Sequence, residues 1–305
     1  MAKDIFFPTP YQVVIVWHDG YGVGRLQGPP REVAPLPLER RLARLEGVPI
    51  RWRVGAREGL ALWNQSGAFL VPRSTRVQVE RELLLPGGLK VREENNGLVL
   101  AGPGIPGEKW VLTQDFQGKH LERVVLALRA DPPAVWAAGL YSGGPYVGFA
   151  VQAFHPGGML DLKVQLPIVN VRPEVAPGFL AILGEDLLWA GGMDQNSLAL
   201  LLEDKKLIGL GFSPRGRWLV ALREDSSRFV WQWAREAFRL FRHEEIAGLP
   251  EKSHPYSLWS IRIAPSLKWA ICVDHGVWAI PLPSPLPPPP KEGGKPRETL
   301  RRILL

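Results

Sequence analysis

The feature that most constrains this chain is a unit of short apolar runs and turns that recurs about every 40 residues. In GFSPRGRWLVALREDSSRFVWQWA (residues 211–234), SPRG supplies a Pro-Gly turn and REDSS supplies a charged turn. The runs RWLVAL and RFVWQW are short, aromatic and aliphatic, which is typical of β-strands. The stretch therefore predicts three successive strands joined by tight turns.

Echoes of this unit occur along the chain. FLAILGED (residues 179–186) matches WLVALRED (residues 218–225), and IAPSLKWAICVDHGVWAI (residues 263–280) repeats the Pro-to-Trp spacing of the first stretch. Weaker echoes are IPGEKWVL at 105–112, SGAFLV at 66–71 and VVIVWHDGYGVGRL at 13–26. Repeats of about 40 residues built from short strands predict a β-propeller, whose four-stranded blades bury their faces by stacking around a ring.

The predicted fold class is all-β, a propeller of six or seven four-stranded blades. Hairpins near positions 19, 66, 112, 143, 185, 224 and 275 favour seven, whereas a different phase around AFHPGGMLDL (residues 153–162) gives six. The last unit contains three strands, so we expect the segment DIFF (residues 4–7) to supply a fourth and close the ring.

The window SHPYSLWSIRIAPSLKWAICVDHGVWAIPL (residues 253–282) resembles a WD-repeat blade. Ser253-His254 stands where that family has Gly-His, Asp274 stands at its turn Asp, and Trp278 stands at its strand Trp. In residues 211–234 the turn Asp is Asp225 and the strand Trp is Trp231 or Trp233. The resemblance implies a structural hydrogen-bonded tetrad, with Cys272 at its hydroxyl position. It also implies a non-catalytic scaffold, a rigid disc whose rims hold protein partners.

Composition sets the broad class. A single cysteine excludes an internal disulfide framework and favours a reducing compartment. No apolar run is long enough for a membrane helix and no signal pattern precedes the first strand, so we expect a cytoplasmic protein without a membrane partner. The net charge of +7 is mild for 305 residues and does not by itself indicate nucleic-acid binding.

Two segments depart from the strand pattern. PLERRLARLEGVP (residues 37–49) has leucines at helical spacing and predicts a short inserted helix. At the other end, the predicted domain order is a propeller (1–283), a Pro/Gly-rich linker (284–295) and a short amphipathic tail helix or docking peptide (296–305). The tail residues expected to contact a protein partner are Leu300, Arg301, Arg302, Ile303 and Leu304. Docking against the propeller itself and disorder are the alternatives.

No catalytic signature emerges, and we expect neither an enzyme nor a cofactor or metal. GPGIPG (residues 102–107) matches a dinucleotide-binding pattern in form, but a strand follows where a helix is required. The six histidines do not pair at ligand spacing. Carboxylates at residues 184–186, 223–225 and 273–275 fit turn caps better than a cation-holding ring of the kind found in propeller hydrolases.

The stretch RWRVGAR (residues 51–57) is the strongest nucleic-acid candidate. Arg51, Arg53 and Arg57 surround a tryptophan, which is the chemistry of a base-stacking platform. The alternative is a half-buried edge strand with Trp52 and Val54 facing the core. The leading function is therefore a scaffold or accessory subunit of a cytoplasmic assembly. The alternative is a nucleic-acid-binding subunit of a prokaryotic nucleoprotein or defence-type complex, acting directly or through a partner, and a propeller hydrolase ranks third.

Overall fold

A computed structural model describes residues 2–64, 67–72, 82–95, 97–105, 107, 109–144, 148–164, 171–184, 186–196, 198–204, 206–246, 248–250 and 260–283. This part of the chain is almost entirely β-structure, with two single-turn 3-10 helices at Pro86–Gly88 and Met193–Gln195. Within these ranges no helix has the length and apolar character needed to cross a bilayer.

Five sheets have four strands each. The first contains β1 (Asp4–Thr9), β2 (Gln12–Val16), β3 (Gly20–Arg25) and β5 (Glu39–Leu42). The second contains β9 (Glu82–Leu84), β10 (Lys90–Glu94), β11 (Gly97–Ala101) and β12 (Lys109–Thr113). The third contains β18 (Arg172–Ala176), β19 (Phe179–Leu183), β20 (Leu187–Gly192) and β21 (Ala199–Glu203). The fourth contains β22 (Leu207–Phe212), β23 (Trp218–Arg223), β24 (Ser227–Ala234) and β25 (Ala237–Glu245). The fifth contains β26 (Ser260–Ile263), β27 (Trp269–Val273), β28 (Val277–Pro281) and β4 (Ala34–Pro35).

The remaining strands form one eight-stranded sheet. Along its main path lie β17 (Gly158–Val164), β16 (Phe149–His155), β15 (Ala134–Ser142), β14 (Lys119–Arg129), β6 (Val48–Val54), β7 (Arg57–Asn64) and β8 (Gly67–Val71), with β13 (Asp115–Phe116) beside β14. Its two antiparallel halves are joined where β14 and β6 pair in parallel, from Val124 opposite Ile50 to Leu128 opposite Val54.

The prediction of six or seven four-stranded blades is therefore wrong. The structure is an all-β propeller with five four-stranded sheets, and the other strands share a single larger sheet. The hairpin count failed because parallel pairing between β6 and β14 merges two runs that a repeat pattern treats as separate blades. Such long-range pairing leaves no local sequence signal.

The predicted helix at residues 37–49 is also wrong. This segment forms β5, which pairs antiparallel with β3. Glycines open the space beside β3: a Cβ on Gly20 would lie 2.2 Å from the Arg41 carbonyl oxygen, and one on Gly22 would lie 2.9 Å from Leu38 Cδ1. The leucine spacing misled because the side chains do not share one face, since Leu45 is fully buried whereas Leu42 is 84% exposed.

The predicted hairpins of residues 211–234 are confirmed. They form the end of β22, then β23 and β24, and the turn SPRG closes with a hydrogen bond from Gly216 N–H to the Ser213 carbonyl oxygen at 2.9 Å. Gly216 has a φ of +72°, a left-handed conformation that suits glycine. The Ser213 Oγ accepts a further bond from Trp218 N–H at 3.1 Å.

Ring closure uses a different segment from the one expected. DIFF (residues 4–7) lies in β1 and pairs with β2 of its own sheet, whereas β4 supplies the fourth strand beside β28. Apolar contacts complete the junction between the first and fifth sheets: the rings of Phe7 and Trp269 pack edge to face at 5.2 Å. Trp269 also donates its indole N–H to the Pro10 carbonyl oxygen at 2.9 Å. Shared buried clusters of this kind link each sheet to its neighbours.

Candidate interaction site

The first strands of several sheets meet around a group of buried charged side chains, which we name the central charge cluster. Its members are Asp4, Arg51, Arg53, Glu58, Glu174 and Arg262. All are at most 6% exposed, and they come from β1, β6, β7, β18 and β26. We refer to Arg51, Arg53 and Arg262 as the cluster arginines.

Each cluster arginine contacts a carboxylate. Arg51 Nη2 lies 2.8 Å from Glu174 Oε1, and its Nη1 lies 3.4 Å from Asp4 Oδ1. Glu58 Oε1 accepts hydrogen bonds from Arg53 Nη2 at 2.9 Å and from Arg262 Nη2 at 2.7 Å. Arg262 Nη1 also pairs with Glu174. These bonds tie strands from four sheets together at the centre of the molecule.

Electrostatics keep this cluster ionised. Burial alone would raise the pKa of Glu58, but the charges of Arg262, Arg53 and Arg51 outweigh it and lower that pKa to about 2. Burial, together with the neighbouring charge of Arg51, lowers the pKa of Arg262 to about 9, which still leaves its guanidinium charged at neutral pH. Glu58 and Arg262 are therefore both charged at neutral pH.

The placement of Arg51 and Arg53 corrects the expectation of an exposed basic platform. Both are buried among carboxylates, out of reach of a nucleic acid, and Arg57 alone of the three is exposed. The edge-strand alternative is also wrong, since β6 pairs with β7 on one side and β14 on the other. Trp52 and Val54 do pack against a hydrophobic cluster, as that alternative expected.

The structure describes only some of the residues expected to form the tetrad. His254 lies outside the described residues, so the tetrad stays a prediction. Asp225 Oδ1 accepts a hydrogen bond from Ser227 N–H at 3.0 Å, and hydrogen bonding by Ser227 lowers the pKa of this carboxyl. Trp231 is buried. Asp274 directly follows β27, in the turn of the β27–β28 hairpin, and Trp278 lies in β28. Burial raises the pKa of Cys272 to about 12.

The tail residues Leu300, Arg301, Arg302, Ile303 and Leu304 also lie outside the described residues. The linker at 284–295 does as well. Both remain predictions.

A pocket with a volume of about 650 Å³ lies where the tight turns of neighbouring sheets converge, and we name it the turn pocket. Its walls come from the turns after β6, β14, β18 and β22, from the 3-10 helix after β20, and from the end of β24. Most of the wall therefore consists of short connections between strands of the ring.

Local backbone structure fixes these turns. Gly216 packs so closely on Phe179 that an added Cβ would lie 2.2 Å from Phe179 Cδ2. Gly178, with a φ of +85°, offers its carbonyl oxygen to Met193 N–H at 2.9 Å and so ties the β18–β19 turn to the 3-10 helix. Trp233 N–H donates to the Arg217 carbonyl oxygen at 2.9 Å, which joins the end of β24 to the turn after β22.

Three exposed arginines line the turn pocket, and we name them the pocket arginines: Arg129, Arg215 and Arg217. The Arg129 guanidinium carbon lies 5.2 Å from the centre of the Trp136 ring, a cation–π geometry, and its Nε donates to the Pro132 carbonyl oxygen at 3.0 Å. Two exposed carboxylates, Asp131 and Asp194, share the lining.

Aromatic rings form the apolar part of the pocket. Phe179 and Trp233 meet edge to face with ring centres 4.9 Å apart, and Phe179 also packs on Phe212 behind it. Trp136 is buried and donates its indole N–H to Asp194 Oδ1 at 3.4 Å. The pocket thus combines rigid aromatic walls with exposed guanidinium groups.

One imidazole–carboxylate pair adjoins the pocket. His155 Nδ1 lies 3.4 Å from Asp194 Oδ1, which resembles an acid–base pair. However, His155 is 2% exposed, its Nδ1 accepts a hydrogen bond from Gly157 N–H at 3.1 Å, and its Nε2 lies 3.1 Å from Asn196 Oδ1. Both ring nitrogens of His155 therefore have hydrogen-bond partners inside the protein.

No group of three or more His, Cys, Asp or Glu side chains that could hold a metal ion occurs in the part of the chain that the structure describes. Among the carboxylates expected at the turns, Asp225 caps its own turn by accepting the Ser227 N–H.

Sequence reasoning missed the turn pocket. Its arginines come from two turns that match no motif, Arg129 after β14 and Arg215 with Arg217 after β22, and His155 ends β16 whereas Asp194 follows β20 of a different sheet. The turn SPRG, which contributes Pro214 and Arg215 to the lining, is predicted from the sequence only as a chain reversal.

Comparisons with known proteins address the fold. No protein-family model matches the chain, and no curated protein matches it. Among solved structures it is similar to Kuenenia stuttgartiensis hydrazine synthase, with a TM-score of 0.54, 11% identity, and 92% of this chain and 96% of that chain covered. It is also similar to Kluyveromyces lactis Hsv2, with a TM-score of 0.47, 14% identity and coverage of 89% and 88%. For the Myceliophteria thermophila Cps50 (Swd1) β-propeller domain the TM-score is 0.47, the identity 12% and the coverage 90% and 94%.

At such identities the likeness concerns the fold alone. The ring of sheets, each packed on its neighbours, confirms the expected β-propeller.

Proposed function

We propose that this chain is a non-catalytic interaction subunit that holds a protein partner against a rigid propeller. The observation that carries the proposal is the turn pocket, in which exposed arginines stand beside aromatic walls. Arginine and aromatic side chains are the residues that dominate binding energy in protein interfaces. The neighbouring His155–Asp194 pair is committed to internal hydrogen bonds, which favours binding over catalysis.

The rigidity of the ring supports the same proposal. A surface that is fixed before binding loses little conformational entropy when a partner docks. The turns around the pocket are held by backbone hydrogen bonds and by close glycine contacts, and the central charge cluster holds the strands behind them.

The predicted tail offers a second contact in this proposal. Leu300, Ile303 and Leu304 would supply its apolar face, with Arg301 and Arg302 as the polar rim. A segment this short gains its helical structure from the surface on which it docks.

An affinity pull-down from the native host, treated with nuclease and read by quantitative mass spectrometry, tests the proposal. Four baits are compared: the full chain, a version ending at Pro283, the pocket variant R215E/R217E, and the control R31E/R41E. The control makes the same change of charge at exposed arginines of the first-sheet region, outside the pocket.

We expect a stoichiometric protein partner that the control retains and the pocket variant loses. A partner lost only on truncation at Pro283 would move the contact to the tail and leave the interaction function standing. Recovery of no stoichiometric protein with any bait, or of nucleic acid alone before nuclease treatment, would contradict the proposed function.

A further inference from the structure

We propose that the turn pocket recognises an acidic peptide segment that carries an apolar anchor side chain. This inference rests on the proposed function, because it names the chemical class of the partner at the same surface.

The lining contains three arginines and two aspartates, so its formal charge is positive. Asp194 already accepts the Trp136 indole N–H and faces His155, so part of its hydrogen-bonding capacity is used inside the protein. No ion pair or hydrogen bond engages the Arg215 guanidinium within the described residues. A ligand carboxylate can therefore form charge-assisted hydrogen bonds at Arg215 that the free protein does not satisfy.

Arg129 is held ready for a similar contact. Its position over Trp136 and its Nε bond to Pro132 fix the side chain, which leaves its terminal guanidinium nitrogens for a ligand. Arg217 is fixed through its backbone, whose carbonyl accepts Trp233 N–H. Because these groups are pre-positioned on short turns, binding a carboxylate requires little further ordering.

The aromatic walls favour a ligand with an apolar side chain. Trp233 is partly exposed and stands against Phe179, and Gly178 and Gly216 keep the flanking turns free of side-chain bulk. An aromatic or large aliphatic residue of the ligand would bury its surface here, at about 25 cal/mol per Å² of apolar area removed from water. Anchors of this type beside charged contacts are typical of linear peptide recognition.

Two other occupants fit less well. The chain's own residues 291–305 contain five Lys or Arg and two Glu, so their charge has the same sign as the excess in the pocket. A nucleic acid would bring a continuous row of phosphates past Asp131 and Asp194, whose carboxylates would repel it. A peptide can place its carboxylates at the arginines and avoid the aspartates.

Fluorescence polarisation with synthetic peptides of about ten residues tests this inference. The first probe alternates glutamates with one Phe and one Leu, the second replaces every Glu by Gln, and the third keeps Glu but replaces Phe and Leu by Ser. A labelled oligo-dT strand serves as the nucleic-acid probe. Each is titrated against the wild type, R215E/R217E and the control R31E/R41E.

We expect the Glu–Phe–Leu peptide to bind at least about tenfold more tightly than either altered peptide, since removing charge pairs or the anchor costs on the order of one decade in affinity. Binding should weaken as salt is raised, disappear in R215E/R217E and persist in R31E/R41E. Equal affinity for the Glu and Gln peptides, absence of binding by the acidic peptide, unchanged binding in R215E/R217E, or tighter binding of oligo-dT would each overturn the inference.

The two proposals can fail separately. If R215E/R217E loses its partner in the pull-down but the acidic peptide does not bind, the interaction function stands and the ligand class is wrong. If the peptide binds but no protein is captured from the host, the pocket chemistry stands and the interaction function fails.

Discussion

The central charge cluster and the turn pocket place the same residue type in opposite surroundings. The cluster arginines lie within strands, are at most 6% exposed and contact carboxylates from neighbouring strands. The pocket arginines lie at turns, are exposed, and have fewer carboxylates beside them. Position within the ring therefore decides whether an arginine is buried among carboxylates or exposed at a turn.

The energetic consequences differ in the same way. A buried charge that loses its partner remains desolvated and uncompensated, which is costly. Removing an exposed charge changes the free energy of unfolding little, because water already solvates the groups around it. Substitutions in the two regions should therefore differ in their effect on the free energy of unfolding.

The largest effect is expected from Glu58→Gln. This change removes the charge that faces both Arg53 and Arg262, so we expect a loss of about 3–5 kcal/mol in the free energy of unfolding. Urea denaturation measures it, with the exposed Glu245→Gln in β25 as the matched control at about 0.5 kcal/mol or less. A Glu58→Gln variant as stable as its control would show that the cluster does not hold the ring.

Acid should weaken the wild type through the same residue. The pKa of Glu58 falls from 4.5 to about 2 on folding, so its contribution is fully present above pH 4.5 and is lost as the pH falls towards 2. We expect the stability gap between the wild type and Glu58→Gln to shrink across this interval in urea titrations. A gap that stays constant between neutral pH and pH 3 would contradict the assignment.

A smaller effect is expected at the turns that shape the pocket. Gly216→Ala combines a left-handed φ with a clash against Phe179, so we expect a loss of about 2–4 kcal/mol. Gly55 also has a positive φ, +60°, but an added Cβ would meet nothing within 4 Å. Gly55→Ala should therefore cost about 1–2 kcal/mol from the backbone alone.

Thermal unfolding of the two variants separates the backbone strain, which both share, from the clash with Phe179, which only Gly216→Ala introduces. Equal losses for Gly216→Ala and Gly55→Ala would indicate that the Phe179 contact relaxes without cost.

The smallest effect on stability is expected at the pocket arginines. R215Q/R217Q should change the free energy of unfolding by about 0.5 kcal/mol or less, because both side chains are exposed. The same variant should lose the acidic peptide. A loss of stability as large as that of Glu58→Gln would mean that these arginines are structural and would remove the contrast between the two regions.

The sequence predicted local structure well where turn chemistry decides it. Ser213, Pro214 and Gly216 specify a tight reversal, and the strands on either side follow from aromatic and aliphatic runs. Repetition of such units was enough to predict a propeller.

The predictions that failed concern features that depend on contacts between different strands. Arg51 and Arg53 alternate with apolar residues, as they would on a half-buried strand, but β6 is paired along both edges, with β7 and β14, and both arginines are buried. Glu58 faces Arg53 across the β6–β7 hairpin, whereas Asp4 and Glu174 come from β1 and β18, which no spacing in the sequence connects to β6. The turn pocket escaped notice for the same reason, since its residues come from turns that lie far apart in the sequence.

We propose that the turn pocket is where a partner binds. Hydrogen–deuterium exchange of the full chain, with and without the partner captured in the pull-down, tests it most directly. We predict slower exchange in the turns at residues 129–131, 178–179 and 215–217, with no change in β5 or β25. Protection confined to β25 or to other outer strands, with unchanged exchange at these turns, would contradict the claim.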